Sequence, residues 1–247
     1  MNTIHFYAVI IGTEILNGRR EDRHFSFIQK ELETRGHTLY ASFTIKDSPA
    51  LLRDVFTLIK NDPHAVMFSF GGIGSTPDDL TRAIAAEIFT CKPLIRHQQF
   101  EADIIERFGE EAYPYRIFMS ELPEDSQLLK NPVNNMSGFY LDKRYFFVPG
   151  FPNMAHPMIQ EALQRYYPEV STKEIRMSLL ADTSENTLIT IMKQIDDIIE
   201  LSSLPMFVDE KPKVEISVLG KDPLKVEENF KKFTDELHRL NIKYSVI

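Results

Sequence analysis

At 247 residues, with 43% hydrophobic and 26% charged content, the chain has ample material for one large or two smaller soluble globular domains. A net charge of −8 and a pI of about 5.4 argue against a nucleic-acid backbone or an anionic membrane as the main partner, since both demand a positive face. Cys91 is the only cysteine, which excludes an intramolecular disulfide and a thiolate zinc site within one chain. The N-terminal "MNTIHFYAVIIGTE" lacks the basic region of a signal peptide. No stretch approaches the roughly 20 apolar residues of a membrane span, so the expectation is a cytoplasmic enzyme or binding protein.

In chain order, "IHFYAVIIG" (4–12) reads as a buried strand that ends at a glycine. Between Asp22 and Arg35, Phe25, Ile28 and Leu32 fall at helical spacing, and Gly36 follows as a stop. "HTLYASFTI" (37–45) alternates as a strand does, and "DSPALLRDVFTLIK" (47–60) carries a helical stripe with Pro49 near its start. "AVMFSF" (65–70) is a third apolar strand that runs into a glycine-bearing loop and a helix expected from about 78 to 89. Three strand–helix alternations in ninety residues are the signature of a parallel α/β sheet with helices on both faces. Residues 97–108 read as a helix, "YFFVPG" as a further buried strand, and 153–166 as another helix.

A boundary is expected in "YYPEVSTKE" (166–174), dividing the chain into domains 1–168 and 172–247. Beyond it come a strand (174–182), a helix carrying Leu188, Ile191, Met192, Ile195 and Ile199, and a strand (213–220). A long helix on Val226, Phe230, Phe233, Leu237 and Leu240 follows, with "KYSVI" as a last strand. This β-α-β-β-α-β-like order fits a small α+β domain of the ferredoxin-like class.

Ligands of parallel α/β sheets bind beyond the carboxyl ends of the strands. Two loops have that address: "GTEILNGRREDRH" (12–24) and "SFGGIGSTPDDLT" (69–81). Both are glycine-bearing turns before helices, where backbone N–H groups and the helix dipole meet an anion. The second loop is no P-loop, having no lysine, and no G-x-G-x-x-G, having Pro77 where the last glycine belongs. Capping alone accounts for Thr76 as N-cap, Pro77 at N1 and Asp79 at N3. It does not account for Gly71, Gly72 and Gly74, for which close backbone approach to a ligand is the natural reason. Both readings stand on spacing alone. Glu14 and Asp22 singly read as a solvated acid and an N-cap, and the histidines show no ligand spacing.

These loops, with "IKDSPALLRDV", "LLKNPVNNMSGF" and "VPGFPNMAHPM", resemble the MoaB/Mog-like molybdopterin-binding domain, in the version found in the competence/damage-inducible protein A (CinA) family. The tail is similar to the small KH-type domain of CinA proteins. The resemblance implies a three-layer αβα domain with a mostly parallel sheet, followed by a ferredoxin-like or KH-type α+β domain. It implies that the C-terminal amidohydrolase domain of CinA proteins, and with it pyridine-nucleotide deamidation, is absent.

The activity implied is metal-dependent cleavage of a nucleotide pyrophosphate such as ADP-ribose, with Mg²⁺, Mn²⁺ or Co²⁺ as the cation. Molybdopterin is the other ligand the family implies, through adenylylation in Mog-type domains. By motif position, Asp79 and Asp78 are the expected catalytic residues, and together with Asp22 the metal ligands. Gly12, Thr13, Glu14, Gly18, Gly71, Gly72, Gly74, Ser75, Thr76, Thr81, Asn131, Pro149 and Gly150 are expected to bind the substrate. The sequence departs from the family pattern at Ser75, His24, Asn134 and Met154, which stand for proline, asparagine, glycine and an acid. The departures at His24, Asn134 and Met154 imply a second reading, a module that holds a nucleotide or pterin without turning it over. A homo-oligomer, dimer or trimer, is the expected assembly.

Overall fold

The computed structural model describes residues 4–170 and 174–247. Two compact units emerge, Met1–Glu169 and Val170–Ile247; residues 171–173 of the expected boundary lie outside the described residues.

The first unit runs β1 (His5–Ile11), α1 (Thr13–Leu16), α2 (His24–Thr34), β2 (Leu39–Ile45), α3 (Pro49–Lys60), β3 (Ala65–Phe70) and α4 (Thr81–Ala85). It continues with β4 (Leu94–Arg96), α5 (Gln98–Phe108), β5 (Glu121–Pro123), β6 (Gln127–Leu129), β7 (Gly138–Leu141), β8 (Tyr145–Val148) and α6 (Pro152–Tyr166). Six strands form one sheet in the order β2-β1-β3-β8-β7-β6. Strands β2, β1, β3 and β8 are parallel, and β7 runs against both its neighbours.

Helices cover both faces, which is why the central strands are apolar throughout instead of alternating. Tyr7, Val9 and Ile11 of β1 pack with α3 and α5 in one core. Phe6, Ala8 and Ile10, pointing the other way, pack with α2 and α6 in a second. The result is a three-layer α/β unit.

One helix differs from expectation. It begins at Thr81, not near 78, and passes into a π-helical turn over Ala86–Thr90. Residues 76–80 close tight turns instead, with Asp79 N–H donating to Thr76 O and Leu80 N–H to Asp78 O. The Thr81 N–H returns to Gly72 O at 3.0 Å, and its hydroxyl donates to Gly71 O. The helix starts where it is tied to the glycine loop. Thr76 is therefore not its N-cap.

The second unit runs β9 (Ile175–Ala181), α7 (Ile189–Met192), β10 (Glu200–Val208), β11 (Lys211–Gly220), α8 (Pro223–Arg239) and β12 (Tyr244–Val246). Its antiparallel sheet has the order β10-β11-β9-β12. The expected helix through Ile199 stops at Met192, and β10 stands where none was read. Pro205 sits in that strand because β10 is an edge, where a missing N–H costs no ladder bond. Val226, Phe230, Phe233 and Leu237 of α8 pack on the sheet with Ile199.

Candidate functional site

A cavity of about 560 Å³ opens in the first unit where β1, β2, β3 and β8 end. Its polar part is built by Glu14, Asp47, the 71–76 loop, Asp78, Asp79, Pro149 and Gly150. Phe100, Phe108, Met119, Met136 and Met154 give it an apolar part. Flat rings and thioethers suit a planar heterocycle.

The glycine loop owes its glycines to the protein's own atoms. Gly72 has φ +69, and a Cβ there would lie 2.2 Å from Thr81 Oγ1. A Cβ on Gly74 would lie 2.5 Å from Asp79 Oδ2. The sequence reading assigned this crowding to a ligand; the structure assigns it to Thr81 and Asp79. What the loop offers an anion is its amides. Among the described residues, the N–H groups of Gly72, Ile73, Gly74 and Ser75 have no protein acceptor.

The two aspartates are held by the loop. Thr76 N–H donates to Asp79 Oδ2 at 2.8 Å. The Thr76 hydroxyl lies 2.5 Å from Asp78 Oδ1 and 2.6 Å from Asp79 Oδ2, and gives its one proton to one of them at a time. That hydroxyl, and after it the Asp78 backbone amide, hold the Asp78 carboxyl below its ordinary range. Both therefore line the cavity as hydrogen-bonded carboxylates.

Arg82 braces the loop from inside. Its guanidinium is buried and donates to Gly74 O at 2.7 Å, to Glu121 O at 3.2 Å and to Phe118 O. Burial lowers its pKa, against the opposing pull of Asp79 and Glu121. On the opposite rim, Arg20 donates to Gly150 O at 2.9 Å, lies 3.6 Å from Glu14 Oε1 and covers the Phe151 ring. His24 is buried under the same turn, its Nε2 3.3 Å from Gly150 O. Burial pushes its pKa down.

Of the expected site residues, Glu14, Gly71, Gly72, Gly74, Ser75, Thr76, Asp78, Asp79, Pro149 and Gly150 come together around this cavity. Gly12, Thr13, Gly18, Asp22, Thr81 and Asn131 are not among its lining residues. Asp22 instead sits just before α2, accepting from His24 N–H at 2.7 Å and Phe25 N–H at 3.4 Å. Asn131 is buried and accepts from Val133 N–H while donating to Met136 O. Thr13 acts through Asp47, giving both its N–H and its hydroxyl to Asp47 Oδ2, each at 2.8 Å.

Sequence reading missed Asp47, Arg116, Phe100, Phe108 and Met119. The strand-end rule that found the two glycine loops also applies to Asp47, two residues beyond β2. Arg116 and Met119 lie in a short 3-10 turn, where no periodicity marks them.

These features define the class: a three-layer α/β ligand-binding domain with its cavity at the strand ends, an amide loop, and two fixed carboxylates. The chain belongs to the family described as "Probable molybdopterin binding domain", whose model matches residues 7–169. It is 29% identical over 166 residues to a CinA-like protein of Acaryochloris marina, covering 64% of this chain and 39% of that one. It is 28% identical over 231 residues to a putative competence-damage inducible protein of Halothermothrix orenii, covering 89% of this chain and 54% of that one. The chain thus spans about two fifths to a half of these relatives' length. The crystal structure of CinA from Thermoplasma acidophilum superposes with a TM-score of 0.59 at 24% identity, over 67% of this chain and 98% of that one, and shares the fold.

Proposed function

We propose that the chain is a CinA-like nucleotide pyrophosphatase, binding ADP-ribose or a similar pyrophosphate-linked nucleotide and cleaving it with a divalent cation. One observation carries this reading: a single loop with four amides unpartnered among the described residues, and two carboxyl groups, lines one cavity that also has an apolar, aromatic part. The N–H groups of residues 72–75 would donate to the phosphate oxygens. The planar base would occupy the part lined by Phe100 and Phe108.

The donor set fits a cation that arrives with its substrate. Among the described residues no group of three or more acidic, His or Cys side chains is placed to hold a metal alone. Mg²⁺ is commonly bound by one or two carboxylates plus substrate phosphates, and Asp78 and Asp79 supply those two. When bound, the cation would neutralise phosphate charge and polarise the P–O bond as a Lewis acid. Thr76 holds both carboxyl groups against the loop, and Arg82 ties Gly74 to the opposite wall.

Release of AMP from ADP-ribose with Mg²⁺, Mn²⁺ or Co²⁺ is the test, with Asp78→Asn as the inactive control. Purified protein that yields no AMP under any of the three metals sinks the reading. A second reading, binding without turnover, is favoured by the hydrogen bonds that already occupy Asp79 Oδ2. In that case calorimetry gives a Kd for a nucleotide or pterin that does not depend on metal. The printed family description makes molybdopterin the first pterin to try.

A further inference from the structure

Asp47 lies at the carboxyl end of β2, on the far side of β1 from the glycine loop, and lines the same cavity. It lies in the segment "IKDSPALLRDV" but was not among the expected site residues. Its carboxylate is fixed from one side only: Thr13 N–H and Thr13 Oγ1 both donate to Oδ2, while among the described residues Oδ1 has no partner. Asp47 N–H closes the ring by donating to Thr13 Oγ1 at 3.3 Å. A half-buried carboxylate anchored through one oxygen has a second, pre-oriented oxygen to offer, and it can only accept.

A ligand held there must therefore bring hydroxyl or N–H donors. The span from Asp47 to the amide loop sets how far those donors lie from the phosphate. Strands β2 and β3 are two strand spacings apart, roughly 9–10 Å, which is the reach of a sugar phosphate hydrogen-bonded at both ends. An acid after the second strand of a parallel sheet, beside a glycine loop that holds phosphate, is well placed to read ribose hydroxyls.

We propose that Asp47 is a specificity residue that reads the cis-diol of a ribose whose phosphate sits on the 72–75 amides. The inference rests on the nucleotide reading of the cavity and adds the discrimination between ribose and deoxyribose. Glu14, the other acid on this rim, has its Oε1 3.6 Å from the Arg20 guanidinium, whereas among the described residues no cation lies beside Asp47.

The test is calorimetric titration of the full chain with ADP and with 2′,3′-dideoxyADP, with Mg²⁺ present. A hydrogen bond to a charged acceptor is worth about 1.5–3 kcal/mol, so ADP should bind roughly 10- to 100-fold more tightly. Asp47→Asn, which turns an amide donor toward the sugar, should abolish that preference and leave dideoxyADP affinity unchanged. Equal binding of the two nucleotides to the wild-type chain overturns the proposal and leaves the nucleotide reading intact. Failure of both to bind overturns the two together. The wild-type comparison needs no variant to fold. If Asp47→Asn folds and still prefers ADP, Asp47 is not the group that reads the diol.

Discussion

Thr76 and Asp79 hold each other across a turn: the Thr76 amide and hydroxyl both reach the same Asp79 oxygen, at 2.8 and 2.6 Å. The aspartate that the family pattern marks for chemistry is also the brace of the loop that carries it. Asp78, exposed and bonded only through the Thr76 hydroxyl and its own backbone, has no such second duty. The two should separate experimentally. Asp79→Ala leaves a loop amide without its acceptor and should cost about 1 kcal/mol, roughly 2–4 °C in the melting temperature of a domain this size. Asp78→Asn should leave melting unchanged and abolish metal-dependent turnover. Thermal denaturation beside AMP release decides it; Asp79→Ala melting like wild type would remove the brace.

Gly72 carries the sharpest steric demand in the loop. Alanine there must adopt φ +69 and place its Cβ against Thr81 Oγ1, breaking the bond from Thr81 to Gly71 O. A left-handed non-glycine costs roughly 1–2 kcal/mol before the clash is counted. Gly72→Ala should therefore lose about 2 kcal/mol or more in urea unfolding. In a Thr81→Ala background the clash is gone, and the same substitution should cost less. Additive costs in the double-mutant cycle would show that Thr81 is not what Gly72 avoids.

How far the sequence reached follows from these same residues. Strands β1, β3 and β8 were legible because both faces are buried, which leaves an unbroken apolar run. The helices α3 and α5 were legible from their apolar stripes. What misled was chemistry that serves two masters. "STPDD" satisfies the rules of an N-terminal cap, yet its hydrogen bonds close turns, and the helix waits for Thr81. The glycines correctly signalled close approach but not to what. Asp22, which the family pattern places with the metal, accepts from His24 N–H at the start of α2. Strand β10 was overlooked because its alternating side chains are half-exposed or exposed on an edge, where apolar patterning is weak. Asp47 follows a strand end, where the rule that found the glycine loops also applies; Arg116 reaches the cavity through tertiary folding alone.

Arg82 gives the loop a second brace that no motif advertises. A buried guanidinium shared among three carbonyls from two segments fixes Gly74 relative to the Phe118–Glu121 wall. Arg82→Met keeps the volume and removes every donor, leaving part-buried carbonyls without theirs at about 1–3 kcal/mol each in the worst case. A loss of about 3 kcal/mol in chemical denaturation is expected. Arg82→Lys should rescue little, because one ammonium cannot present the planar fork. Full rescue by lysine would mean that charge, not geometry, is what the site needs.

His156 stacks on Phe27 at 3.7 Å and meets His24 edge-on at 5.3 Å. His24 in turn stacks on Phe70. Among the described residues, neither His24 Nδ1 nor His156 Nε2 has a partner. Burial first, and the neighbouring His24 second, push His156 down to about 4; burial lowers His24 as well. Asp22, Glu31 and Arg20 face the pair, the acids pulling upward and the arginine downward, without reversing either shift. In the unfolded chain both histidines take up protons near 6.5, so between that value and about 4 the unfolded state binds more protons than the folded one. Stability linked to this pair is fully present above about pH 6.5 and is lost as pH falls toward 4. Carboxylates titrate at the lower end of that window, so the discriminating range is roughly pH 6.5 to 5. His156→Phe, which keeps the stack on Phe27 and removes the titrating ring, should flatten the fall in melting temperature across that range. A variant that loses stability with acid as steeply as wild type would place the sensitivity elsewhere in the fold.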